Sequence, residues 1–260
     1  QIWVPATYQE APIDAVAIMS IVPKLAGIVL LKRLLLSPQL ADSHWIIQVV
    51  LLLGIATVII GTAGALRQSN TRRMISFGAI AHSGFLLPFA ILIGETGDQA
   101  FWWYSFAYVV MNLAAFYLLG KYEEQGITKN EEYQKGAETW GGIAFAIVLI
   151  SLVGIPPLAG FTAKFFLFSS LWEVYQLSEQ PIYLIYFLVV VFATVISLFF
   201  YLRIPYYAFV SGGAKQPTAS IKFSLSTKIV ATIFAVTLLF LFFVPKLIVT
   251  MHHLLNNIHE

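Results

Sequence analysis

The chain has 260 residues, of which 59% are hydrophobic and only 11% are charged, and its formal net charge is +2. A soluble globular domain carries roughly a quarter of its residues as charged side chains, so this composition indicates a chain surrounded by lipid. The small net charge gives no signal for a nucleic-acid partner. Because the sequence contains no cysteine, disulfides, thiolate zinc sites and cysteine-ligated iron–sulfur clusters are excluded.

Seven apolar segments are long enough to cross a bilayer, which requires about 20 residues of α-helix. These predicted spans are about 12–36, 44–66, 71–93, 99–119, 139–172, 181–204 and 226–249. Residues 1–11 are polar and aromatic, and we predict that they form a loop entering the first helix. The expected fold is therefore an all-α polytopic membrane protein, with residues 1–260 in a single transmembrane domain.

The positions of lysine and arginine predict how this domain is oriented. By alternation of the spans, the loops at 67–73, 120–138 and 203–228 lie on one side, and they hold three, three and four basic residues. The opposite side holds three. The positive-inside rule places the basic loops in the cytoplasm, or in the matrix or stroma of an organelle, and the C-terminus on the opposite side.

Lys24 lies midway along the first predicted span, directly after Pro23, in the stretch SIVPKLAGIVLL. A lysine at the centre of a membrane helix costs roughly 2.5–3.5 kcal/mol on insertion scales, so such a residue is by default a candidate functional site. Two interpretations follow. Lys24 is either a proton-carrying site or a structural lysine paired with a carboxylate on another helix.

The span 44–66 carries a stripe of small residues, Thr57, Gly61 and Ala65, which lets another helix approach closely. In the next span, His82 lies at the centre, at the depth of Lys24 and beside the polar Ser83. Histidine titrates near neutral pH, which suits a proton relay. The alternative is a hydrogen-bonded core histidine.

The segment 139–172 is too long for one straight crossing, and it contains two adjacent prolines near its middle. Pro156 and Pro157 lack N–H groups, so the carbonyls near Leu152 and Val153 lose their helical partners. The sequence predicts a discontinuous helix at this point.

Gly154 and Gly160 flank the predicted break and permit unusual backbone dihedrals. Lys164 then lies at the start of the second half-helix, near the membrane midplane. Irregular backbone at this depth is tolerated where it is buried in protein or lines a water-filled cavity, and a charge beside such a break is typical of transporters. The alternative is a proline kink with an incidental lysine.

Other polar groups are weaker candidates. Tyr108 and Asn112 share a helix face and suit packing, water or a partner helix, and Asp14 suits a helix N-terminus. The sequence shows no phosphate loop, catalytic triad or redox-ligand spacing, so we expect this chain to bind no metal and no cofactor. Three further histidines do not have the spacing of a metal site; they are His252, His253 and His259.

Five stretches carry a family pattern along nearly the whole chain. They are WVPATYQEAP (3–12), SIVPKLAGIVLLKRLL (20–35), RQSNTRRMISFGAIAHSGFLL (67–87), SLVGIPPLAGFTAKFFLF (151–168) and VISLFFYLRIPYYAF (195–209). Together they resemble the antiporter-like membrane subunits, and in particular subunit N (subunit 2 in organelles) of proton-pumping NADH–quinone oxidoreductase, respiratory complex I. The resemblance implies a fold of fourteen helices with two inverted repeats of five. This chain would carry the eighth helix, the second repeat and the last helix.

The resemblance also implies roles for three residues. Lys24 would be the central-axis lysine of the eighth helix, Lys164 the lysine of the second broken helix, and His82 a polar residue of the central axis. The chain lacks the family's first broken helix and the glutamate of the fifth helix, and it departs from the family pattern in the first stretch at Ala6, Gln9 and Glu10. We therefore expect a truncated copy or part of a longer chain.

From this resemblance we expect proton translocation across the bacterial inner membrane or an organelle inner membrane, by a subunit without its own redox centre. Flavin, iron–sulfur clusters and quinone would belong to other subunits of the complex. The expected partners are those membrane subunits and the lipid bilayer, with no nucleic acid. Two alternatives remain open: a subunit of a cation/proton antiporter or membrane-bound hydrogenase, and a non-transporting structural subunit.

Overall fold

A computed structural model describes residues 3–37, 44–92, 94–136, 140–211 and 223–244, and this part of the chain is almost entirely helical. Its α-helices are α1 Val4–Glu10, α2 Ile13–Leu35, α3 His44–Leu66, α4 Thr71–Leu86, α5 Glu95–Glu123, α6 Trp140–Val153, α7 Ala159–Ser178, α8 Pro181–Tyr201, α9 Arg203–Phe209 and α10 Leu225–Phe243. Two 3-10 helices are Leu87–Ala90 and Asn130–Gly136.

Within the described ranges, five helical segments are long and apolar enough to cross a membrane. They are Ile13–Leu35, His44–Leu66, Thr96–Glu123, Pro181–Phe209 and Leu225–Phe243. The other two predicted spans are composite, since 71–93 contains α4 and a 3-10 helix, and 139–172 contains α6 and most of α7. The prediction of an all-α polytopic membrane protein with one discontinuous helix is confirmed.

The predicted loop at 1–11 is wrong over most of its length, because Val4–Glu10 forms α1. Pro5 lies in the first turn, where its missing N–H would have had no helical partner anyway. Tyr8 is buried against Phe116 of α5. At the other end of the chain, 245–249 of the last predicted span lie outside the described residues, as do His252, His253 and His259.

Arg72, in the first turn of α4, holds the C-terminal end of α1. Its Nη1 donates to the carbonyl oxygens of Tyr8, Gln9 and Ala11 at 3.3, 3.2 and 2.8 Å. The other edge of the guanidinium pairs with the carboxylate of Glu123 on α5. These contacts stabilise a short helix through residues distant in the sequence, which explains why the local pattern did not predict α1.

The three basic loops meet on one side of the bundle, as alternation of the spans predicts. Asn70, at the start of α4, forms an isolated β-bridge with Lys129 in the loop after α5. Arg203 of α9 donates to the carbonyl oxygens of Gln68 and Leu66 at 3.0 and 3.1 Å. These contacts link all three loops.

The small residues of α3 form its contact with α4. A Cβ atom at Gly61 would lie 2.8 Å from Cα of Ala81, and Ala65 is fully buried. The predicted packing role of this stripe is confirmed at both positions. α5 is the most enclosed of the long helices and packs against α2, α7 and α10.

The break between α6 and α7 depends on a close approach of the two half-helices. Gly154 has a φ of +90°, which side-chain-bearing residues rarely adopt. The N–H of Gly160 donates to Oγ of Ser151 at 3.2 Å, and a Cβ at Gly160 would overlap the backbone carbonyl of Ser151. The end of α6 can therefore contact the start of α7 only if position 160 has no side chain.

We expect Gly160→Ala to lower the free energy of unfolding by roughly 1–3 kcal/mol, the usual cost of overpacking, because the methyl group has no room beside Ser151. Thermal unfolding of the purified protein in detergent measures this effect. Gly27→Ala is the matched control, since it adds the same methyl group where no atom lies within 4 Å. Equal melting temperatures for the two variants would contradict the close approach.

Candidate functional site

Lys24, His82 and Lys164 lie on three different helices that surround α5. Lys24 is on α2, His82 on α4 and Lys164 on α7. His82 and Lys164 are 2% and 3% exposed. His82 and Lys164 are thus in the interior of the bundle, Lys24 is half-buried, and hydrogen bonds, ring contacts and a small cavity connect the three.

The ammonium group of Lys24 joins α2 to α4 and α5. Its Nζ donates to the carbonyl oxygen of Ala79 at 2.7 Å and to Oη of Tyr108 at 3.2 Å. Lys24 also lines a partly open cavity of about 300 Å³ with Tyr8, Thr57 and mostly apolar neighbours. An ammonium group has three N–H donors, so one remains beyond these two hydrogen bonds.

Tyr108 connects Lys24 to His82. Its hydroxyl accepts from Lys24 and donates to the carbonyl oxygen of Ser20 at 3.0 Å. The rings of Tyr108 and His82 have centroids 5.3 Å apart. Nδ1 of His82 forms a hydrogen bond of 2.8 Å with Oη of Tyr104, one turn earlier on α5. Two tyrosines of α5 therefore surround the imidazole.

Lys164 takes the place of the donors that the two prolines lack. In an uninterrupted helix, Pro156 and Pro157 would be the residues whose N–H groups bond the carbonyls of Leu152 and Val153. Nζ of Lys164 donates to these two carbonyl oxygens at 3.1 and 2.6 Å. Because the C-terminal end of a helix carries partial negative charge, the end of α6 favours a cation here.

Two further contacts surround Lys164. Nζ lies 5.1 Å from the centroid of the Phe85 ring, a geometry that favours a cation. Leu152, whose carbonyl accepts from Lys164, lines the same small cavity as His82 and Lys164. The two side chains face a common cavity of about 10 Å³, also lined by Ser197 and Tyr201, which is near the lower limit for one water molecule.

Neither Lys24 nor Lys164 pairs with a carboxylate in the described part of the chain. The ion pairs found there lie near the ends of helices; they are Lys32–Asp98, Arg72–Glu123 and Lys121–Glu124. Lys24 and Lys164 are instead bound by neutral oxygen acceptors. The alternative of a structural ion pair at Lys24 therefore finds no partner among the described residues.

The sequence did not indicate Tyr104, and it indicated Tyr108 only as a packing residue or a contact for water or a partner helix. Both lie on one face of α5 at four-residue spacing, which is the signal that could have grouped them. Asn112 continues this spacing, but its Nδ2 donates to the carbonyl of Tyr108 on its own helix. Among the described residues, no group of three His, Cys, Asp or Glu side chains could hold a metal ion.

Comparison with known sequences identifies relatives over most of the chain. The family model described as NADH:quinone oxidoreductase/Mrp antiporter, TM, matches residues 1–197. NADH-quinone oxidoreductase subunit N of Rubrobacter xylanophilus is 38% identical over 211 residues, which cover 79% of this chain and 41% of the relative. Subunit N 2 of Rhizobium meliloti is 34% identical over 210 residues, covering 78% and 41%. The chain thus spans about two-fifths of the length of these curated relatives.

Solved structures share the fold. A chain of respiratory complex I from Thermus thermophilus with bound Aureothin has a TM-score of 0.73 at 24% identity, covering 95% of this chain and 53% of that chain. A chain of the Mrp complex from a Dietzia species has a TM-score of 0.76 at 20% identity, covering 94% and 53%. The match of the family model over 1–197 shows that this chain belongs to the NADH:quinone oxidoreductase/Mrp antiporter family of transmembrane proteins.

Proposed function

We propose that this chain translocates protons across an energy-transducing membrane as an antiporter-like subunit of NADH–quinone oxidoreductase. The names of its curated relatives and the family model support the type of complex. The observation that carries the proposal is the set Lys24, Tyr108, His82 and Lys164, which are connected by contacts and one small cavity beside a broken helix, with Lys24 half-buried and the other three buried. Intramembrane ionisable groups of this kind are the usual components of proton relays.

The contacts give each residue a part in this relay. The hydroxyl of Tyr108 accepts from Lys24 and its ring packs against His82, so Tyr108 holds the ammonium of Lys24 on the side of α5 that His82 contacts. His82 and Lys164 line a common cavity near the size of one water molecule, beside the carbonyl of Leu152 that accepts from Lys164. In this proposal the proton path crosses the bundle from α2, past α4 and α5, to the break between α6 and α7.

The neutral partners of the lysines suit proton release. A lysine held by a carboxylate would lose an ion pair on deprotonation, whereas Lys164 is held by two carbonyl oxygens. Its charge also repels a charge on His82, because like charges in an interior of low polarity interact strongly. Occupancy of one site by a proton then disfavours occupancy of the other, which is how a relay passes protons singly.

In this proposal the chain supplies no redox chemistry. The energy comes from electron transfer in other subunits of the complex, which are its protein partners, and the basic loops face the cytoplasm or matrix. A cation/proton antiporter subunit is the second candidate, favoured by the fold shared with the Mrp complex. A dependence of transport on a monovalent cation other than the proton would support that candidate.

We expect Lys164→Ala and Lys164→Arg both to abolish most proton pumping by the assembled complex. Arginine keeps the positive charge and the donors for the carbonyls of α6, but it does not release a proton at physiological pH. Proton uptake into inverted membrane vesicles during NADH oxidation measures the effect, and subunit content measures assembly.

Lys121→Ala is the matched control, since Lys121 lies near the end of α5 in an ion pair with Glu124. It should pump at the normal ratio of protons to NADH. A structural role for Lys164 would be indicated if arginine restored normal pumping while alanine did not, and normal pumping by both variants would exclude a role in the relay.

Sidedness is tested with single cysteines, because the natural chain has none. Thr96 and Gln125 are exposed; Thr96 lies in the first turn of α5, and Gln125 lies just after its C-terminal end. We expect Gln125→Cys to react with a membrane-impermeant maleimide from the cytoplasmic or matrix side, and Thr96→Cys from the other side. Labelling of both from the same side would contradict the orientation of α5.

A further inference from the structure

An apolar groove runs between α3 and α8 on the outer surface of the bundle. It has a volume of about 230 Å³ and is lined by residues within 58–66 of α3 and 189–196 of α8. Ala63 contributes a small side chain to its wall, while Ile59 and Phe192 are 52% and 64% exposed. In a membrane-spanning bundle, this surface faces hydrocarbon or another apolar chain.

The length of the groove matches one leaflet of a bilayer. Positions 58 to 66 extend about 12 Å along a helix, at about 1.5 Å per residue. The hydrocarbon core of a bilayer is about 30 Å thick, so one leaflet contributes about 15 Å. Because α3 ends at Leu66, the groove begins at the membrane boundary on the basic side and runs toward the midplane.

Two arginines lie at the outer end of this groove. Arg67 follows Leu66 directly and is exposed. Arg203 donates to the carbonyl oxygen of Leu66 from Nη2 and to that of Gln68 from Nη1. A guanidinium has five N–H donors, so three remain beyond these two bonds. Neither arginine forms an ion pair with a carboxylate among the described residues.

We propose that the groove and the two arginines bind one anionic phospholipid. Its acyl chain lies between α3 and α8, and its phosphate is bound by Arg67 and Arg203. Arginine binds phosphate oxygens through paired N–H donors, and basic residues at the membrane surface attract anionic lipids. A transmembrane helix of a partner protein fits less well, because it would cover the guanidinium groups without supplying a counter-charge. The site is independent of the proposed proton relay.

Photo-crosslinking in the intact membrane assembly that contains this chain tests the proposal. The assembly is reconstituted in phosphatidylcholine vesicles with a trace of phosphatidylglycerol or phosphatidylcholine that carries a photoreactive acyl chain. We expect the phosphatidylglycerol probe to label peptides containing 58–66 and 189–196 several times more strongly than the phosphatidylcholine probe. Excess unlabelled phosphatidylglycerol should compete.

Variants separate the headgroup from the acyl chain. Arg67→Gln and Arg203→Gln should each lower the labelling ratio of phosphatidylglycerol to phosphatidylcholine about fivefold, given the usual energy of a basic residue near anionic lipid. Ala63→Phe fills the groove and should reduce labelling by both probes at these peptides. Arg73→Gln is the matched control, since Arg73 is exposed in the first turn of α4 and does not line the groove.

Three results would overturn the proposal. Equal labelling of the natural protein by the two probes would show that the groove does not select an anionic headgroup. An equal loss of labelling in Arg73→Gln and Arg67→Gln would show that any basic residue at this surface attracts the lipid, and that Arg67 has no specific contact with the phosphate. Absence of labelling by either probe in the assembly would show that protein, and not lipid, covers the groove.

Discussion

The bond between the Lys164 ammonium and the two open carbonyls at the end of α6 is the interaction on which the rest of the site depends. Two buried carbonyl oxygens without partners would cost several kcal/mol in a membrane interior, and so would a buried ammonium without acceptors. The ammonium supplies the donors that the carbonyls lack, and the carbonyls supply its acceptors, with Nζ of Lys164 at 3.1 Å from the oxygen of Leu152 and 2.6 Å from that of Val153. A broken helix and a buried lysine are thus tolerated together.

This interaction also determines where the other polar groups can act. Leu152, whose carbonyl accepts from Lys164, lines one cavity with His82, so the break in α6–α7 adjoins α4. His82 is in turn enclosed by Tyr104 and Tyr108 of α5, and Tyr108 contacts Lys24 of α2. The two tyrosines thus join α2 to α4 through neutral side chains, and no carboxylate is needed between Lys24 and His82.

Much of this architecture could be predicted because it follows from local chemistry. Adjacent prolines remove two N–H donors whatever the surroundings, which predicts the break and the two carbonyls affected. Alternation of apolar spans likewise predicts that the three basic loops meet.

The short helix α1 could not be predicted, because its end is held by Arg72, about 60 residues away. The sequence did not indicate Tyr104, because a tyrosine within an apolar helix has the pattern of an ordinary core residue. Only its hydrogen bond with His82 distinguishes it.

In the proposed relay, Lys164 gains and loses a proton while it remains beside the carbonyls of α6. Nitrogen NMR of the assembled complex, with ¹⁵Nζ-labelled lysine and the Lys164→Arg variant to assign the resonance, observes this group directly. We expect an ammonium signal at rest and a neutral amine population during NADH oxidation. A Lys164 signal that stays in the ammonium form throughout turnover, in a complex that pumps normally, would contradict it.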